Sequence, residues 1–243
     1  QLAKDEDLWV RKEVAENPNT PAELLQQLAK DEDSDARREV AKNPNTPVEL
    51  RLELLQQLAK DEENGIRKRV ANNSNTSVEL LQLMAADKDE VVRMAVVEHS
   101  NTSVELLQLM AADEEEYVRM AVARNPKTPL DSLQKLAVDE ELSVRMETAG
   151  NANTPTELRL ELFKQLAFDE DQFVREDVAK NPNTPVDILI QLAEDEEEDV
   201  RQSVAKNPQT PSNILCQLAK DKKIDVRQSV AKNPNTPIEA YIV

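Results

Sequence analysis

The residue types that could do chemistry in this chain recur as a set rather than gather at one place. An aspartate is followed six positions later by an arginine nine times: Asp5/Arg11, Asp31/Arg37, Asp61/Arg67, Asp87/Arg93, Asp113/Arg119, Asp139/Arg145, Asp169/Arg175, Asp195/Arg201 and Asp221/Arg227. A catalytic centre needs one distinctive arrangement. A pair repeated along the whole chain reads instead as a ladder of charge-assisted hydrogen bonds joining successive segments. Each aspartate also opens a polar, mostly acidic stretch, such as Asp31-Glu32-Asp33-Ser34-Asp35 or Asp195-Glu196-Glu197-Glu198-Asp199. Oxygen ligands of this kind suit calcium, but no stretch carries the spaced glycine of a calcium-binding loop, so solvated carboxylates and no metal are expected. His99 and Cys216 are the single residues of their types and lie far apart, which leaves no nucleophile–base pair. With no glycine-rich phosphate loop either, these residues predict no enzymatic activity and no cofactor.

The elements that position these pairs come from a repeat. The motif Asn-Pro-Asn-Thr-Pro and its variants place their second residue at Pro18, Pro44, Ser74, Ser100, Pro126, Ala152, Pro182, Pro208 and Pro234, at intervals of 26 residues with two of 30. Both long intervals carry a four-residue insertion, within Glu49-Leu50-Arg51-Leu52-Glu53-Leu54 and Glu157-Leu158-Arg159-Leu160-Glu161-Leu162. Four residues are about one helical turn, so each insertion should lengthen a helix and keep its face. The insertions lie 108 residues apart, as if a block of four repeats had been duplicated, and Ser77–Asp87 is identical to Ser103–Asp113.

Each unit reads as two helices. Thr20-Pro21-Ala22-Glu23 has the form of a helix start, with the threonine as cap, proline at the first helical position and glutamate closing a capping box. Leu24, Leu25, Leu28 and Ala29 then form an apolar stripe. A second helix carries Ala36, Val40 and Ala41 and stops at Asn43-Pro44, so it should be short and partly 3₁₀. Neither helix can bury its stripe alone; neighbouring repeats must supply the other half of the core.

The unit Val/Ile-Arg-x-x-Val-Ala-x-Asn-Pro-x-Thr-Pro-x-Glu-Leu-Leu-x-x-Leu-Ala-x-Asp resembles the leucine-rich repeat variant family over essentially the whole chain, and more distantly HEAT repeats. The resemblance implies an all-α, right-handed α-solenoid of nine two-helix repeats, with the arginine-bearing second helix on the concave side. It fixes no activity. Some relatives carry a cysteine cluster for an iron–sulfur centre, for which this chain, with Cys216 alone, has no ligand set.

Composition agrees with that class. Aromatic residues make up 2% and there are two glycines, too few for an all-β fold, whereas 39% apolar residues suffice for a core. The net charge of −18 disfavours nucleic acid and favours basic partners. No apolar run approaches the roughly 18 residues of a membrane span, and the lone cysteine fits a reducing, cytoplasmic setting. The chain starts and ends within a repeat, which reads as one repeat domain (1–243), a monomeric piece of a longer protein.

The most informative variation lies on the second helix, on the face turned from its stripe. There Trp9 stands alone among polar residues in the first three repeats. The middle repeats then carry Val91, Met94 and Ala95, then Tyr117, Met120 and Ala121, then Met146, and Phe173 continues the column. Such a patch on a polar surface is expected of a groove that binds another protein, with methionines as adaptable contacts. Packing of these side chains against one another is the competing expectation. Nucleic acid is the alternative partner, through the basic strip of Lys42, Arg124, Lys180, Lys206 and Lys232, although the total charge argues against it.

Overall fold

In the computed structural model, which describes residues 1–241, every repeat but the last folds into two α-helices, and the last pairs one α-helix with a 3₁₀ turn; no strand occurs among the described residues. The helices group into two compact units, Gln1–Lys127 and Thr128–Val243. The first unit holds α1 (Leu8–Glu16), α2 (Ala22–Leu28), α3 (Ser34–Lys42), α4 (Val48–Leu58), α5 (Asn64–Ala71), α6 (Val78–Met84), α7 (Glu90–Glu98), α8 (Val104–Met110) and α9 (Glu116–Arg124). The second holds α10 (Leu130–Leu136), α11 (Leu142–Gly150), α12 (Thr156–Ala167), α13 (Gln172–Lys180), α14 (Val186–Leu192), α15 (Glu198–Lys206), α16 (Ser212–Leu218) and α17 (Ile224–Lys232). Among the described residues, 3₁₀ turns occur only at Leu2–Lys4 and Ile238–Tyr241.

The even-numbered helices, which follow the Thr-Pro turn, bury leucines at i and i+3, such as Leu25 and Leu28. The odd-numbered helices answer with small and β-branched residues such as Ala36, Val40 and Ala41. Both insertions lengthen the even-numbered helix as expected: α4 has 11 residues and α12 has 12, against seven elsewhere, and Leu54, Leu55 and Leu58 keep the buried face. The expectation of a partly 3₁₀ second helix is corrected. The odd-numbered helices are α-helical over eight or nine residues, longer than most of their partners. Asparagine ends them without breaking the last turn, because its own N–H still bonds back to the helix, as Asn43 does to Glu39 at 3.0 Å.

The Thr-Pro capping expectation is also corrected. Thr46 Oγ1 donates to the Val40 carbonyl at 2.6 Å, and Thr20, Thr76 and Thr210 make the same 2.6 Å bond to Val14, Val70 and Val204. The buried hydroxyl thus satisfies a carbonyl at the end of the preceding helix instead of capping the next. Proline takes the cap position without a side-chain bond. Where serine replaces it, a cap forms: Ser77 accepts from the Leu80 N–H and Ser103 from the Leu106 N–H, both at 3.2 Å.

Candidate functional site

The Asp/Arg pairs form a ladder, but its rungs connect differently from the sequence spacing. Arg11 turns its Nε and Nη2 edge to the carboxylate of Asp31, twenty residues ahead, at 2.7 and 3.1 Å. The same two-pronged contact joins Arg67 to Asp87, Arg93 to Asp113, Arg175 to Asp195 and Arg201 to Asp221, with Nε–O distances of 2.7–2.8 Å. Toward the aspartate six residues behind, each arginine offers only Nη1, and to the backbone carbonyl: Arg67 to Asp61 O at 2.9 Å, Arg119 to Asp113 O at 2.9 Å and Arg227 to Asp221 O at 2.5 Å. One guanidinium therefore fastens the connector of its own repeat and the carboxylate of the next.

The aspartate is equally committed. Asp31 Oδ1 also accepts from the Asp33 N–H at 3.0 Å, and Asp61, Asp139, Asp169 and Asp221 close the same turn at 2.8–3.0 Å. Arg11 and then this backbone N–H hold the Asp31 carboxyl below the ordinary carboxylate range, against the cost of burial. At Asp221 the Arg201 guanidinium does the same. Burial would push Asp87 and Asp195 up, but Arg67 and Arg175 outweigh it and both sit low. The third connector position has a use too: Asp7, Asp33, Asp89 and Asp171 accept from the first-turn N–H of the following helix at 2.8–3.0 Å. The acidic connectors, expected to be solvated, are in large part a set of helix caps and ladder ends.

A second ladder, not anticipated from the sequence, is made by the asparagine that follows most of the odd-numbered helices. Asn43 Nδ2 donates to the carbonyls of Ala15 and Asn17 in the preceding repeat, at 2.7 and 2.9 Å, while its Oδ1 accepts from the Asn45 N–H. Asn207 and Asn233 repeat the pattern. Recurrence of the Asn-Pro-x-Thr motif was the available signal; the bond across repeats needed the fold.

Both ladders break at the insertions. Arg37 and Arg145 would have to reach Asp61 and Asp169, 24 residues ahead instead of twenty. Each keeps its backbone contacts, Arg37 to Asp31 O at 2.6 Å and Arg145 to Asp139 O at 2.7 Å, and neither meets a carboxylate. Beside each gap the inserted turn supplies another arginine. Arg51 Nη2 donates to the carbonyls of Asn43 and Thr46, and Arg159 Nη2 to those of Asn151 and Thr154, all at 2.9–3.1 Å.

The candidate partner-binding face divides by position. Ala95 and Ala121 are buried, 2% and 6% exposed, which corrects their assignment as contact residues. The same place in the helix is buried at Glu39, Ser203 and Ser229. Val91, Met94, Met120 and Met146 are half-buried. Tyr117 (49%) and Phe173 (63%) stand out from the surface, as does Trp9 (67%), whose ring has the Lys12 ammonium 4.8 Å from its centre. Sequence reasoning missed a second exposed apolar set: Leu83 and Leu109 on α6 and α8, and Val138 and Phe168 at the ends of α10 and α12. The signal was present, since both leucines lie in the identical segments where the neighbouring repeats carry glutamine or lysine.

The basic strip is partly neutralised within the chain. Lys42 pairs with Glu39 at 3.4 Å, Lys180 with Glu176 at 2.7 Å, and Lys206 bonds Gln202 at 2.9 Å. No helix among the described residues is long and apolar enough to cross a membrane.

Residues 11–67 match the family model described as the leucine rich repeat variant domain. Among solved structures, one described as a leucine-rich repeat variant with a novel repetitive protein structural motif is 26% identical, over 87% of this chain and 81% of its own length, with a TM-score of 0.60. The Escherichia coli protein YibA is 18% identical and shares the fold over 95% of this chain and 98% of its own, with a TM-score of 0.50. No curated protein is close enough in sequence to stand as a relative.

Proposed function

Taking the chain as a helical repeat protein of the leucine-rich repeat variant family, we propose that it is a non-catalytic scaffold that holds another protein on the exposed side of its odd-numbered helices. The observation that carries this reading is the recurrence of exposed aromatic rings at one position of the repeat. The chain has six aromatic side chains, and Trp9, Tyr117 and Phe173 occupy the same first-turn position of α1, α9 and α13, all exposed. Large aromatic rings stabilise a fold when buried, whereas Phe163 is the only one of the six to be so used. Rings held out on rigid helices are the kind of anchor that dominates protein interfaces. The high negative charge favours a basic partner.

The test is a paired substitution. Tyr117→Glu and Phe173→Glu should leave helicity and the melting temperature within a few degrees of the parent and abolish recovery of the partner proteins that the parent captures. Unfolding of both variants would make these rings structural and would reject the interface. Nucleic acid is the second reading, favoured only by Lys232 and the other basic ends of the same helices. Gel-shift titrations with DNA and RNA at low salt should show no complex.

A further inference from the structure

Among the described residues, the buried side-chain nitrogens without a hydrogen-bond partner are Arg37 Nε, Arg51 Nε, Asn73 Nδ2 and Arg159 Nε. All of them lie at or beside the two insertions. A buried donor left unmet is costly, so such a concentration calls for a physical account. At Arg37 the chain itself indicates what is missing. Every described rung gives the same guanidinium edge a carboxylate, with Nε–O at 2.7–2.8 Å and Nη2–O at 2.7–3.2 Å. Arg37 is anchored by Nη1 in the same way, on Asp31 O and Glu32 O, so its fork is held in the orientation that the ladder uses.

Arg37 lines a cleft with Ala29, Lys30, Leu50, Glu53 and Leu54. Asp31, which also borders it, is already bound by Arg11 and the Asp33 N–H. Lys30 adds a cation, and the leucines and the alanine supply an apolar wall. We propose that Arg37, and its internal copy Arg145, bind a carboxylate from outside the chain, which completes the rung that the inserted turn removed. The ligand class is a carboxylate on a short aliphatic arm, either an acidic side chain or the C-terminus of a peptide. At the second copy Val138 replaces Lys30, which leaves that site one cation poorer, and Glu161 is held by Gln165 at 3.2 Å. The competitor at the first copy is Glu53, which shares the cleft. This site shares no residue with the exposed aromatic positions and stands or falls separately from them.

The experiment follows the arginine Nε–H resonances of the full chain, labelled with ¹⁵N, during titration with sodium acetate and, at matched ionic strength, sodium chloride. Arg37→Lys and Arg145→Lys assign the two signals. The expected result is a saturable shift of the Arg37 and Arg145 signals with acetate alone, while Arg67 and Arg201 stay still and Glu53→Gln responds at least as strongly as the parent. An absent shift, or an equal one with chloride, overturns the proposal. So does a parent that is silent where Glu53→Gln responds, since Glu53 would then already fill the rung. Competition by an amidated peptide with one glutamate, or by an unamidated peptide with no acidic side chain, tells the side-chain source from the terminal one.

Discussion

His99 occupies the place that asparagine holds at Asn43 and Asn207, and it reproduces two of the three bonds of the amide. Its Nε2 lies 3.0 Å from the carbonyl of Asn73 in the preceding repeat, and its Nδ1 accepts from the Asn101 N–H at 2.9 Å. The side chain is 7% exposed, and its bond to Asn73 is made away from water. His99→Asn should therefore be almost neutral, whereas His99→Ala should cost about 1–3 kcal/mol by stranding a buried carbonyl and an N–H. Chemical denaturation of the two variants checks this, and an equal cost for both would reject the equivalence. The sequence marks His99 as the odd member of the motif; that an imidazole can span the same two groups as an amide is visible only once the two turns lie side by side.

At the scale of elements, the inserted turn controls what its neighbours can reach. With the usual 26-residue repeat, consecutive odd-numbered helices pack on one another, as α7 does on α9 and α13 on α15. Across the insertion α3 packs on the lengthened α4 far more than on the next odd-numbered helix α5, and α11 packs on α12. Removing Leu50–Glu53 restores the twenty-residue interval between Arg37 and Asp61. The expected outcome is a folded chain with a raised melting temperature and an Arg37 Nε–H resonance that moves into the range of Arg67. A lowered melting temperature would mean that Arg51, with its bonds to Asn43 and Thr46, already compensates the lost rung. Helix lengthening itself was readable from the sequence, because four residues preserve the buried stripe of Leu54, Leu55 and Leu58. The broken rungs were not, because the arginine's carboxylate partner lies in the next repeat, a register that spacing within one repeat does not reveal.

At the scale of the whole molecule, the ladders make stability depend on acid in a definite direction. The carboxyls of Asp31, Asp87, Asp195 and Asp221 are held below their ordinary range in the fold. A lowered folded value means that the stabilisation is complete above the unfolded value of about 4 and is lost progressively below it, as the pH falls through the lowered folded value. The melting temperature should hold from neutral pH down to about pH 5 and then decline. Asp31→Asn should melt lower than the parent at neutral pH, and the two curves should approach each other in acid, as the parent's carboxylate is protonated as well. A gap of constant size across that range would show that the rung carries no differential charge stabilisation.

The repeat, its two helices, their buried leucine, valine and alanine stripes and the lengthened α4 and α12 follow from the sequence alone, because hydrophobic periodicity and proline-bounded turns act over a few residues. Which aspartate an arginine holds, that Thr46 closes the helix behind it, and that Ala95 is buried while Tyr117 is exposed were decided by the tertiary structure. Those outcomes depend on which groups of one repeat come within about 3 Å of groups on the next, and that distance is set by helix packing rather than by position along the chain.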